Sequence, residues 1–133
     1  MDFEKLQKRN LSILAYFTLS LKSFKVHNKK VTSTLRKKMD GFNKKAIKFE
    51  SFLIGQLGRN DTIKSSELPG KDLLNMAISF ISRAQKIVGG RIVLIDCENN
   101  DKLIKFYEEN DFILIQEHSE KSNFVQMIRV LTI

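Results

Sequence analysis

Four consecutive apolar residues, Ile92 to Ile95, stand between the pair Gly89-Gly90 and the polar string Asp96 to Lys102. This stretch restricts the fold more than any other. An unbroken apolar run of that length, set off by turn residues, is the pattern of a strand covered on both faces, so it is a central strand and not an edge. The acidic and amide residues after it are expected to stop the strand. Leu103, Ile104 and Phe106 then carry a short helix that ends near Asn110-Asp111 and delivers Tyr107 close to the strand's carboxyl end. Ligands of open sheets gather at such strand ends, so the geometry is one that builds sites.

The segments on either side can be placed around this strand. Phe49 to Asn60 has strand character, and Gly55 and Gly58 within it predict a bulge or a close backbone approach by a ligand. Lys71 to Val88 carries Leu73, Ala77, Phe80, Ile81, Ala84 and Val88 at helical spacing, with Gly89 as its stop. Strand, helix and strand in that order make a right-handed βαβ unit with parallel strands. Phe112 to Gln116 and Phe124 to Leu131 read as two further strands, paired as an antiparallel hairpin. Upstream, Leu11 to Val26 is a long strand with Ile13, Ala15, Phe17, Leu19 and Leu21 on one face. Phe24 and Val26 continue it one residue out of phase, which predicts a bulge or bend near Lys22-Ser23.

Charge is unevenly spread. The net charge is +8, yet Lys22 to Lys48 holds ten Lys and Arg against the single acid Asp40, which leaves the rest of the chain near neutrality. A concentrated basic segment points to a polyanionic partner better than the same charge diluted over a surface. The segment from His27 to Lys48 reads as a loop-like insertion with a short helix around Thr34 to Met39, ended by Gly41. Arg36, Lys37 and Lys38 are its candidate phosphate contacts, and Phe24 and Phe42 are the aromatics available to stack on bases.

A chain of 133 residues, 42% hydrophobic, fits one domain spanning 1–133. No apolar run approaches the roughly 20 residues of a membrane span, and Met1 to Lys5 lacks a secretory pattern. The single Cys97 cannot form an intrachain disulfide, so a cytoplasmic protein is expected, with no membrane contact. Cys97 itself reads as a small core residue, and His27 and His118 read as surface residues. No metal-ligand spacing occurs.

Asn100, Leu103, Tyr107, Asp111 and Phe112 follow the spacing Asn-x-x-Ala-x-x-x-Tyr-x-x-x-Gly-Phe, with Leu for Ala and Asp for Gly. In this the chain resembles the GCN5-related N-acetyltransferases (GNAT). The resemblance covers about residues 11 to 131 and implies a mixed α/β (α+β) fold: a mostly antiparallel sheet with a central parallel βαβ unit and splayed strands. It also implies acetyl-CoA as co-substrate, without a metal, and transfer of an acetyl group to a primary amine. Family members usually carry one more strand and two helices before the strand that here starts near Leu11, and ten residues are too few to form them. A truncated relative, one completed by a partner subunit, and a degenerate copy are the readings this leaves. A homodimer covering the open side near Leu11 to Leu21 is expected, because exposed edges associate.

The resemblance also assigns sites. The pyrophosphate loop of the family falls on Glu67-Leu68-Pro69-Gly70-Lys71-Asp72, and of its fixed positions only Gly70 agrees. Glu67 and Asp72 place carboxylates where phosphates arrive, whereas the free amides at a helix start and the charge of Lys71 favour an anion. Leu68, Gly70, Lys71, Asp72 and Leu73 are therefore the cofactor-binding candidates at this end. Leu57, Gly58 and Arg59 are the candidates for holding the thioester and pantetheine. Tyr107 is implied as the general acid that protonates the departing thiolate. Asn100 is either a pantetheine contact or the helix cap. The general base stays open between Glu50, His27 and an ordered water.

Leu14 to Leu19, the basic insertion and Ile54 to Arg59 together resemble the toxin-like branch of the family, which acetylates the amino group of aminoacyl-tRNA. That implies tRNA as acceptor and an antitoxin-like protein as partner. The alternative is a non-catalytic module of the same fold that binds nucleic acid or a partner protein.

Overall fold

A computed structural model describes residues 15–59 and 70–131. The elements run β1 (Ala15–Lys25), α1 (Ser33–Asp40), β2 (Lys48–Arg59), α2 (Gly70–Val88), β3 (Ile92–Glu98), α3 (Asp101–Glu108), β4 (Ile113–Glu117) and β5 (Phe124–Val130). The five strands form one sheet in the order β1-β2-β3-β5-β4. Every neighbouring pair is antiparallel except β2 and β3, the two strands joined through α2. The mixed, mostly antiparallel sheet around a parallel βαβ unit is thus as expected.

β3 is the central strand, with Ile92, Val93, Leu94 and Ile95 all buried. It runs three residues past the expected stop, because β5 pairs with it as far as Glu98↔Phe124. Its parallel register with β2 is short: Phe52↔Val93, Leu53↔Leu94 and Ile54↔Ile95. Beyond Ile54 the two strands part, and β2 continues to Arg59 beside β1 alone. The splay lies at this point.

The sheet has a core on each face. On one face, α2 and α3 cover Phe52, Ile54, Val93, Ile95, Cys97, Val125 and Met127. On the other, Phe24, Val26, Met39, Phe49, Ile92, Leu94, Ile115 and Ile128 cluster together. These two cores explain the phase change along β1 without the predicted bulge at Lys22-Ser23. Pairing with β2 is regular from Leu19↔Ile54 to Lys25↔Lys48, so the apolar positions change face because a different core lies beneath each end. Phe17 is half-buried on the α2 side, Leu19 and Leu21 are exposed, and Phe24 and Val26 are buried on the other side. The actual bulge falls between Thr18 and Leu19, where β2 contributes the extra residue Gly55. A Cβ at Gly55 would stand 2.8 Å from Thr18 Oγ1, which accounts for a glycine there.

The basic segment is more than a loop. Thr32 caps α1 by accepting from the Leu35 amide, and Met39 is buried against the second core with Val31, Leu35 and Ala46 beside it. Arg36 is correspondingly not a solvent-facing cation. Its guanidinium donates to the carbonyls of Asn28, Val31 and Ala46, closing the segment on itself. Phe24, also expected to be available for stacking, is buried in the second core.

On α2 the buried stripe is Leu73, Leu74, Ala77 and Ile81. Phe80 and Val88, expected on that face, are exposed, and Phe80 instead meets Phe17 with ring centroids 5.8 Å apart. β4 and β5 form the predicted hairpin, with an irregularity between Leu114 and Gln116. Among the described residues no helix is long and apolar enough to cross a membrane.

Candidate active site at the strand splay

A strand that leaves its neighbour carries backbone donors and acceptors that need another partner. Among the described residues, no strand pairs with β2 beyond Ile54 on its β3 side. Leu57, Gly58 and Arg59 lie on that stretch, and Leu57 is half-buried against the α2-side core. Gly58 and Arg59 are placed by their backbone pairing with Tyr16 and Ala15.

The start of α2 meets α3. Gly70 is its first residue, and a Cβ there would meet the Phe106 ring of α3 at 3.4 Å. Phe106 in turn stands edge-on to Tyr107, with centroids 5.1 Å apart. The N-terminus of α2 and Tyr107 are thus joined through a single ring. Lys71 and Asp72 are exposed, and Leu73 is buried, so any part Leu73 plays in holding a ligand falls to its backbone. Glu67 and Leu68 lie outside the described residues.

Asn100 caps α3, its Oδ1 accepting from the amides of Lys102 at 2.9 Å and Leu103 at 3.3 Å. Of its two readings the structure displays the cap. The helix ends as its spacing suggested: the Phe112 amide returns to the Tyr107 carbonyl, and Asp111 takes the left-handed conformation at φ 70. Tyr107 is held between Phe106 and Phe112, on the core that contains Cys97. Burial, reinforced by Cys97, pushes its phenol up to about 12, so the group is protonated at neutral pH and is a proton donor rather than a base. Burial likewise raises the Cys97 thiol, with Glu98 contributing, which fits a core residue and not a nucleophile.

Two residues at the splay were missed. His118 is not a surface residue: its side chain is only 6% exposed, and its Nδ1 accepts from the amides of Glu120 and Lys121. It faces Asp96, the residue next after the last β2–β3 pair. Gln126 donates to Asp96 Oδ1, and Gln116 links Gln126 to Lys25, His27 and Asn28 at the root of the basic segment. The available signal was an acid one residue before buried Cys97, directly after the apolar run Ile92 to Ile95. His27 is exposed, and Glu50 is exposed and hydrogen-bonded to Ser23, so neither is drawn into the splay.

No protein-family model matches the sequence, and no curated protein does. Solved structures do match. A bacterial toxin superposes with a TM-score of 0.67 at 14% identity, over 95% of this chain and 72% of its own. AtaT complexed with acetyl-methionyl-tRNAfMet gives 0.60 at 20% identity, over 85% of this chain and 61% of its own. A tyrosine-to-phenylalanine mutant of AtaT, bound to the C-terminus of the antitoxin AtaR and acetyl-CoA, gives 0.57 at 18% identity, over 88% and 58%. The chain therefore spans about 60% of the length of the AtaT chains it resembles. At these identities the likeness is one of fold, and the fold is that of the GCN5-related N-acetyltransferases, with toxin-like members among its neighbours.

The raised Tyr107 value has a measurable consequence. The folded protein holds the phenol proton more tightly than the unfolded chain, so this contribution to stability is intact below about pH 10 and is lost as pH rises from there toward 12. Absorbance titration of phenolate should resolve a tyrosine that ionises near 12, and Tyr107→Phe should remove that component. Ionisation of both tyrosines near 10 would contradict the packing described.

Proposed function

We propose that the protein is an acetyl-CoA-dependent N-acetyltransferase acting on a primary amine, with the amino group of an aminoacyl-tRNA as acceptor. The observation that carries this reading is the splay itself. The β2 backbone at Leu57 to Arg59, which among the described residues has no partner on its β3 side, suits an extended amide-bearing arm, which pairs with strands as a further strand would. The first-turn amides of Gly70 to Leu73, at the positive end of the helix dipole, and the charge of Lys71 suit a pyrophosphate at the helix start. The fit is chemical on both counts, although Asp72 is an exposed carboxylate in the first turn. That carboxylate is what favours the second reading, a module of this fold that binds nucleic acid or protein without transferring acetyl.

Acetyl-CoA would supply the activated acyl group, as a thioester. The amine nitrogen attacks its carbonyl carbon, the C–N bond forms and the C–S bond breaks. Tyr107 then gives its phenolic proton to the leaving thiolate, and the proton lost by the nitrogen restores the phenol. Burial among Phe106, Phe112 and Cys97 keeps Tyr107 protonated for this step. One of the similar solved structures is itself a tyrosine-to-phenylalanine mutant bound to acetyl-CoA, which supports looking to a tyrosine for this role.

The acceptor assignment draws on the basic segment. Lys29, Lys30, Lys37, Lys38, Lys44, Lys45 and Lys48 are exposed there, and Phe42 is 88% exposed in a shallow depression with Lys37, Asn43 and Lys44. Cations around an exposed ring suit a single-stranded nucleic acid, with phosphates on the lysines and a base on the ring. The AtaT complex with acetyl-methionyl-tRNA supports the same acceptor class, and the AtaT–AtaR complex supports an antitoxin-like partner.

Acetyl-CoA at about 100 times its dissociation constant should stabilise the protein by roughly 2.7 kcal/mol in a thermal or denaturant titration. Tyr107→Phe should retain that stabilisation while turnover drops on the order of 10² to 10⁴-fold. No stabilisation by acetyl-CoA would favour the non-catalytic module, and unchanged turnover would leave Tyr107 a core residue.

For tRNA, Lys37→Ala with Lys38→Ala should lower affinity and reduce the logarithmic salt slope by about 0.7 to 0.9 for each phosphate no longer neutralised. Phe42→Ala should cost about 1 to 3 kcal/mol with the slope unchanged. Arg36 is left intact in both variants because it holds the segment together. Parental binding by the double-lysine variant would make these lysines a merely solvated face.

A further inference from the structure

Among the described residues, Asp96 is the one acidic side chain that is not exposed. It is also poorly matched. A carboxylate nine-tenths buried ordinarily takes short charge-assisted hydrogen bonds of about 2.7 to 2.9 Å. Here the nearest donor, Gln126 Nε2, stands at 3.4 Å from Oδ1. Around Oδ2, His118 Nε2 is at 3.6 Å, Lys121 Nζ at 3.9 Å and Lys22 Nζ at 4.0 Å. The two amides that donate to His118 Nδ1 leave the ring proton on Nε2, and that buried atom has no hydrogen-bond partner. Four positive or donor groups thus surround the carboxylate without closing on it. Lys22 and Lys121 have side chains 40% and 58% exposed and are free to swing toward solvent.

Its position is as informative as its environment. Asp96 follows Ile95, the last residue of β3 paired with β2, so it stands where the strands part. Successive strand residues face opposite sides of a sheet, and Cys97 belongs to the core on which Tyr107 packs. Asp96 therefore lies on the other face, behind the wall of a cavity of about 480 Å³ between β1 and the β4–β5 turn. Lys22, His118 and Gln126, all neighbours of Asp96, line that cavity together with Lys25, His27 and Lys48.

We infer that Asp96 receives the ammonium group of the acceptor, which enters from this cavity on the face opposite Tyr107; the assignment rests on the acetyl-transfer reading above. The ligand class is a primary amine whose remainder carries negative charge. The ammonium displaces Lys22 and Lys121 from the carboxylate, and the lysines of the cavity wall meet the anionic part. The ammonium gives one proton to cavity water before its nitrogen attacks, and the proton lost after the C–N bond forms reaches the Tyr107 phenolate through solvent, so amine and leaving thiolate are served from opposite sides of the splay.

Two measurements on the full chain test this. Methioninamide, a free α-amine without phosphates, should produce saturable NMR shifts of the Gln126 side-chain amide and the His118 ring, and Asp96→Asn should abolish them. With methionyl-tRNA as acceptor and acetyl-CoA as donor, Asp96→Asn should raise the acceptor KM roughly tenfold or more while leaving acetyl-CoA affinity unchanged. Absence of saturable shifts in the parent, or equal shifts in Asp96→Asn, overturns the inference. Saturable shifts without any acetyl transfer uphold the amine site and remove the transferase reading. Transfer with an acceptor KM untouched by Asp96→Asn does the reverse.

Discussion

Everything distinctive in this molecule depends on the early end of one parallel pairing. β2 and β3 share only Phe52 to Ile54 with Val93 to Ile95 before they separate. Had the register continued, the β3-facing backbone groups of Leu57 to Arg59 would be satisfied inside the sheet and unavailable to a ligand. The bulge at Gly55 falls one residue past the last pair, where it also shifts the register with β1. β3 meanwhile stays in the sheet through β5, which pairs with it along its full length. One strand is thus drawn toward β1 and the other toward β5, and the gap between them is held open by antiparallel ladders on both sides.

The two cores divide the labour around that gap. α2 and α3 cover one face and bring the start of α2, Phe106 and Tyr107 together. The basic segment covers the other, anchored by buried Met39, by the three carbonyl bonds of Arg36 and by Gln116, which accepts from the amides of His27 and Asn28. Because Gln116 also reaches Gln126, and Gln126 reaches Asp96, the root of the charged segment and the mouth of the splay share one polar network. The charged surface segment and the strand ends are therefore linked through side-chain hydrogen bonds.

Much of this could be read directly from residue order. The buried run Ile92 to Ile95, the helical spacing after Gly70 and the return at Asp111 each express a local preference that the fold satisfies. What could not be read depends on partners far away in sequence. The phase change along β1 looked like a bulge because alternation tells which residues share a face but not that each face has its own core. Arg36 looked like a free cation because its three acceptors are defined only once the segment folds. His118 looked exposed because a histidine beside Ser119, Glu120 and Lys121 suggests a turn, and its burial arises from packing against β3. Asp96 was passed over as a strand terminator for the same reason: the pairing that carries β3 past it comes from β5, some thirty residues on.

The most direct test of the central claim, that the parted strands form an acyl-CoA cleft, is an amide NMR titration of the full chain with acetyl-CoA. Perturbations are expected on both sides of the splay, at Leu57 to Arg59 and Gly70 to Leu73, with the Tyr107 ring moving as well. Saturable perturbations confined to the lysine-rich segment around α1, with the amides of the splay unmoved, would contradict this claim.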